Sequence, residues 1–126
     1  MIEIFIPGRA VGKARPRFSK GRVYTADRYG KWKKEAIAHI RSLNLPKAPK
    51  PCSVECYFIN FFSSDTDNLQ GSILDALVQS EYLENDSSSY VVGCSGVFAK
   101  QKKLRGKEKF IGVLVRVKDS EIAELI

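Results

Sequence analysis

Two aspartates one residue apart, Asp65 and Asp67, stand where an aromatic run gives way to a helical pattern, and a third, Asp86, follows that pattern. The run at residues 57–62 reads as a buried strand, and Leu69, Ile73, Leu77 and Val78 then recur at helical spacing. In an extended segment, side chains two residues apart point the same way, so the two carboxylates would share one face. One strand out, one helix back and one loop would bring Asp86 beside them. Three carboxylates so placed form an all-oxygen site for a hard divalent cation such as Mg²⁺, with Mn²⁺ able to stand in for it. Asp67 has a plainer use as a helix N-cap, whose carboxylate accepts amide hydrogens. That use leaves Asp65 and Asp86 unexplained.

The charge distribution points the same way. Residues 51–99 hold seven acids and no Lys or Arg, a net of −7. Residues 1–50 carry 13 basic and 3 acidic side chains, and residues 100–126 carry 8 and 4. The overall +7 therefore hides two basic flanks around an acidic centre. Such a layout suits a polyanion gripped by the flanks while the centre collects cations.

Other chemistries lack their residues. There is one histidine, His39, and three cysteines, Cys52, Cys56 and Cys94, with no C-x-x-C spacing. Cys52 and Cys56 would lie roughly 13 Å apart in a strand at ~3.3 Å per residue, beyond disulfide reach. All three read as reduced core thiols, and neither a zinc site nor histidine-based nuclease chemistry is expected. Ser–His–Asp hydrolysis would have to recruit His39 from a helix flank.

The elements that must position the acids follow from periodicity. At 126 residues the chain is expected to be a single domain, 1–126, with one core. Its start is too short and too acidic for a signal peptide, and no apolar run approaches the ~20 residues that cross a bilayer. A cytoplasmic location is the expectation. Residues 2–6 alternate and stop at Pro7-Gly8, a first strand. Residues 9–24, with Gly12, Pro16 and Gly21, read as an extended loop or loose hairpin. Lys13, Arg15, Arg17, Lys20 and Arg22 interleave there with Phe18 and Tyr24. Cations among aromatic rings suit a phosphate backbone with unstacked bases, although a solubilising surface would look alike.

A helix capped by Thr25 or Asp27 should run to about Leu43, burying Tyr29, Trp32, Ala36, Ile40 and Leu43 and exposing Arg28, Lys31, Lys34 and Arg41. A proline-rich linker, residues 44–51, leads to a strand over 53–62 and a helix over 67–80. Asp75 either returns to the face of Asp67 or is solvated. Residues 85–89 form a turn, and 90–100 and 109–118 read as two strands. The basic join between them, carrying Lys102, Lys103 and Arg105, is short enough to make an antiparallel hairpin and a second arm for DNA. The tail after Asp119 is weakly helical. The order β-α-β-α-β-β predicts an α+β, two-layer domain with a mixed sheet of about four strands and two helices.

These residues carry a family resemblance. Asp65-Thr66-Asp67-Asn68-Leu69, Asp75-Ala76-Leu77 in the helix, and Asn85-Asp86 before Val91-Val92 resemble the pattern of the RusA-type Holliday junction resolvases of phages and prophages. The stretch Gly12-Lys13-Ala14-Arg15-Pro16-Arg17-Phe18 is similar to the basic segment of phage-type members. The resemblance covers about residues 1–118. It implies a homodimer that binds four-way DNA and nicks two strands of like polarity, with catalytic, metal-binding aspartates at Asp65, Asp67 and Asp86. Two positions depart from the pattern: Gly71 stands where the family usually has a lysine, and Asn85 where it usually has the first acid of a pair. A catalytically weakened protein that binds branched DNA is the alternative that Gly71 favours. A nucleotide-dependent transferase would need a phosphate-cradling glycine loop opening a helix, and none is present.

Overall fold

Alternating burial sets the sheet. In the strand Cys52–Ile59, residues Cys52, Val54, Cys56 and Phe58 are buried while Ser53, Glu55 and Tyr57 are only partly covered. That is the period-two pattern of a sheet with one packed face. A computed structural model describes residues 1–13, 17–19, 22–24, 27–62, 65–102 and 110–126. The elements are β1 (Ile2–Pro7), β2 (Arg17–Ser19), β3 (Arg22–Tyr24), α1 (Asp27–Ser42), β4 (Cys52–Ile59), α2 (Thr66–Gln79), β5 (Val91–Ala99) and β6 (Gly112–Asp119). The expected α+β order is therefore present, with a short β2–β3 hairpin added in the basic segment.

The main sheet is mixed, in the order β1-β6-β4-β5. β6 runs antiparallel to both β1 and β4, and β5 runs parallel to β4. Register stacks the core in rows across three strands: Ile4, Val115 and Cys56 in one, Ile6, Val113 and Phe58 in the next. All six are at most 1% exposed. Tyr29, Trp32, Ala36 and Ile40 of α1 and Leu69, Ile73, Ala76 and Leu77 of α2 join the same buried cluster. Each large apolar side chain so buried contributes about 1.5–3 kcal/mol, so Phe58→Ala should cost ~3–5 kcal/mol.

Three expectations are corrected. β5 and β6 are not a hairpin, because β4 lies between them. The fully buried Val113, Val115 and Val117 make β6 an interior strand with a neighbour on each side, a place that half-exposed β5 could not fill. Leu43 is 40% exposed, because α1 ends at Ser42 and the chain turns through Asn44 at φ 49°. The tail is irregular; Ile122 and Leu125 stand 70% and 95% exposed, so no apolar stripe holds a helix there. The thiols fit expectation: Cys52 and Cys56 are free and buried, and Cys94 is free and half-buried.

Candidate active site at the start of the second helix

Asn60 fixes how the chain leaves β4. It adopts φ 64°, a left-handed conformation that asparagine tolerates better than most residues. Its backbone N–H donates to Ala99 at 2.9 Å. Its side-chain amide donates to the carbonyls of Phe110 (2.6 Å) and Gln101 (3.2 Å), and its Oδ1 accepts the Gln101 N–H at 2.9 Å. One buried side chain thus ties together the end of β4, the end of β5 and the entry to β6. Sequence reasoning passed over it; its only signal was an asparagine closing an apolar strand.

Phe61 then turns into the core and Phe62 turns out, 59% exposed. Asp65 is extended (φ −103°, ψ 162°), and its carboxylate accepts the Asn68 N–H at 2.8 Å. Asp65, not Asp67, is therefore the N-cap, because α2 begins one residue earlier than its apolar spacing indicates. Asp67 lies in the first turn of α2. Both carboxylates are exposed at the positive end of the helix dipole, a favourable place for negative charge. They are neighbours across the helix start, not along a strand. Lys100 places its Nζ 5.9 Å from the centroid of the Phe62 ring, three residues before Asp65 in the chain.

Asp86 is elsewhere in the chain. β5 runs parallel to β4, so α2 must carry the chain back to the starting end of both strands. There Leu83 N–H donates to Leu77 O at 3.1 Å, and Tyr82 and Leu83 are buried. Asn85 Oδ1 accepts the Ser87 N–H at 3.0 Å, and Ser87 O accepts from Tyr90 and Val91 at 2.9 Å each. Asp86 sits exposed in this turn. Seven steps of β4 at ~3.3 Å put roughly 23 Å between that end and the end bearing Asp65 and Asp67. Accordingly, among the described residues no three His, Cys, Asp or Glu side chains come together to hold a metal ion. The donor types suit a hard cation, but one chain alone does not assemble the three.

Asp75 neither supports that site nor stands in solvent. Its carboxylate accepts the Tyr29 hydroxyl at 2.7 Å, joining α2 to α1. Burial, then the hydrogen bond and charge of Asp75, hold the Tyr29 phenol well above its ordinary pKa.

Of the basic residues, Lys13 and Lys102 are exposed, as are Arg28, Lys31, Lys34 and Arg41 along α1. Arg17 and Arg22 fall on β2 and β3. Arg15, Lys20, Lys103 and Arg105 lie outside the described residues. No helix among the described residues is long and apolar enough to cross a membrane.

Comparison with known families gives one match. The family model of endodeoxyribonuclease RusA matches residues 7–117, most of the chain. None of the curated proteins matches it.

Proposed function

This chain belongs to the RusA endodeoxyribonuclease family, whose members hydrolyse phosphodiester bonds, and on that premise we propose that it resolves four-way DNA junctions by paired nicks. It acts as a homodimer of single-domain subunits, with Asp65, Asp67 and Asp86 as the catalytic carboxylates and Mg²⁺ as the cofactor. The observation that carries the reading is the exposed Asp65–Asp67 pair at the start of α2, inside the matched segment.

The roles follow from the chemistry. Asp65 and Asp67 of one chain, with Asp86 of a second, would hold the cation. That cation supplies positive charge to the phosphate oxygens and lowers the pKa of water. Without it, three carboxylates beside DNA would repel the substrate. Asp65 is held in place by its bond to Asn68, and Asn60 fixes the strand that delivers it. Lys100, on the Phe62 ring, would supply positive charge to the phosphate. A water oxygen then forms the new bond to phosphorus as the P–O3′ bond breaks, and the leaving oxygen takes up a proton. The basic segments at Lys13–Arg22 and Lys102–Arg105 supply non-sequence-specific affinity. The length of β4, roughly 23 Å between the end that leads to the pair and the end near Asp86, is what calls for the second chain.

A mobile four-way junction with Mg²⁺ tests both parts. The wild-type protein should give symmetric nicks, whereas tight binding without nicks would select the catalytically weakened alternative. Asp67→Asn and Asp86→Asn should each be inactive. Mixed and re-equilibrated, they should recover cleavage, because one of the two sites in a heterodimer is then intact. No recovery would mean that each site lies within one chain.

A further inference from the structure

A hollow of about 170 Å³ opens where the linker between α1 and β4 meets the segment that follows α2. That is far more than the roughly 10–15 Å³ that one water requires. Backbone bonds tie its two sides together: the Ala48 N–H donates to the Tyr82 carbonyl at 3.1 Å, and the Cys52 N–H to the Tyr90 carbonyl at 2.8 Å. Pro46, Pro49 and Pro51 fix the backbone of the linker, so the hollow is formed before anything enters it. Tyr82 and Leu83, 4% and 2% exposed, line it together with half-buried Tyr90. The exposed Lys47, Lys50 and Glu84 line it too. Lys50 Nζ lies 4.4 Å from the centroid of the Tyr90 ring. Neither lysine forms an ion pair among the described residues, where the pairs are Arg116–Glu3 and Lys118–Glu55.

The hollow also adjoins the turn that carries Asp86. Glu84 leads into that turn and Tyr90 leads out of it, and Ser87 O closes it by accepting the N–H groups of Tyr90 and Val91. An aromatic face, apolar walls and two unpaired cations are what hold a base together with its phosphates. Glu84 adds an acceptor for the N–H groups of a base edge. A lone phosphate would leave the apolar walls uncovered, and a neutral apolar ligand would leave both lysines unused.

We propose that this hollow takes one unstacked base of the substrate DNA, laid on Tyr90, with Lys47 and Lys50 on the neighbouring phosphates. The inference rests on the reading of this chain as a junction nuclease and adds a grip on the strand beside Asp86. The incoming base displaces the Lys50 ammonium from the ring, and the flexible lysine stem carries the charge across to a phosphate. A base leaves its stack most readily where its pairing is weakened, as at the branch point of a mobile junction.

Single strands test the hollow apart from any cleavage. Fluorescence anisotropy compares oligothymidylate with an abasic strand of equal length, which keeps the phosphates and lacks the bases. Tyr90→Ala should weaken binding of oligothymidylate at least about fivefold and leave the abasic strand unchanged. Tyr90→Phe keeps the ring and should bind both strands as the wild type does. Lys47→Ala/Lys50→Ala should weaken both strands alike and flatten the salt dependence. Should Tyr90→Ala fail to fold, Tyr90→Leu, which keeps an apolar side chain without a ring, decides in its place. Equal losses on the two strands from the Tyr90 variant, or no loss on either, overturn the inference. So does thymidine monophosphate that displaces the strand at equal concentration, since the hollow would then be a site for free nucleotide. A protein that nicks junctions while its Tyr90 variant binds both strands normally refutes the hollow alone. A base-dependent loss at Tyr90 in a protein that never nicks refutes the proposed activity and leaves the hollow standing.

Discussion

The Asp65 carboxylate accepts the backbone N–H of Asn68 at 2.8 Å, so a residue proposed to hold the cation also caps the helix that presents its neighbour Asp67. One oxygen is committed to the fold, and the residue stands exposed. Structure and chemistry draw on one side chain, and substitutions can separate them.

Asparagine caps a helix about as well as aspartate, whereas alanine loses ~1 kcal/mol. Asp65→Asn should therefore melt with the wild type and Asp65→Ala several degrees lower, while both lose single-turnover cleavage. Asp67 is not the cap, so Asp67→Asn should abolish cleavage with stability unchanged. Junction cutting by Asp65→Asn at the wild-type rate would confine Asp65 to capping.

Asn60→Ala removes a buried side chain that satisfies three backbone groups and leaves alanine in a left-handed conformation. A loss of at least about 2 kcal/mol is expected in urea unfolding. Asn60→Gly should recover about 1 kcal/mol of it, the backbone share alone. Equal stability of the two variants would mean that the left-handed conformation costs nothing here.

The Tyr29–Asp75 bond joins the two helices, and Tyr29→Phe should cost about 1–2 kcal/mol. Because the folded phenol titrates above the unfolded one, its contribution is complete below about pH 10 and falls away as the pH rises further. The stability gap between wild type and Tyr29→Phe should be constant from pH 7 to 9 and narrow above pH 10. A gap that widens with pH would contradict the hydrogen bond.

Element types were legible in the sequence because they rest on local periodicity: Tyr29, Trp32, Ala36 and Ile40 are buried at helical spacing, and Cys52, Val54, Cys56 and Phe58 alternate into the core. Adjacency was not. Residues 90–100 and 109–118 follow one another, but β4 takes the place between them because its apolar face needs a neighbour on both sides. The same parallel β4–β5 pairing carries Asp86 away from Asp65, a relation between strands that spacing along the chain does not encode. Capping was misread by two residues, Asp67 for Asp65, since Thr66 gives no periodic signal of being the first helical residue.

If the flanks grip phosphates, the combined Lys13→Ala, Arg15→Ala and Arg17→Ala variant should bind a junction more weakly. Its slope of log affinity against log salt should flatten by about one unit per charge removed. An unchanged slope would make that segment a solubilising surface.

Gly71 stands four residues after Asp67 on the exposed side of α2, and a side chain added there meets nothing within 4 Å. Residues four apart on a helix are neighbours, so a lysine at 71 would stand beside Asp67. Replacing an interior glycine should also stabilise the helix by ~0.5–1 kcal/mol. Gly71→Lys is therefore expected to fold and to melt slightly higher than the wild type. Its effect on cleavage depends on whether the site already has its cation. Lys100, resting against the Phe62 ring three residues before Asp65, is the candidate to serve. Lys100→Ala should accordingly lower single-turnover cleavage at least about tenfold in saturating Mg²⁺, with junction binding little changed. Gly71→Lys should hardly alter the rate in the wild-type background, yet restore much of it in Lys100→Ala. A large gain from Gly71→Lys alone, with no loss from Lys100→Ala, would show that Lys100 does not serve the site and that the glycine leaves it short of a cation.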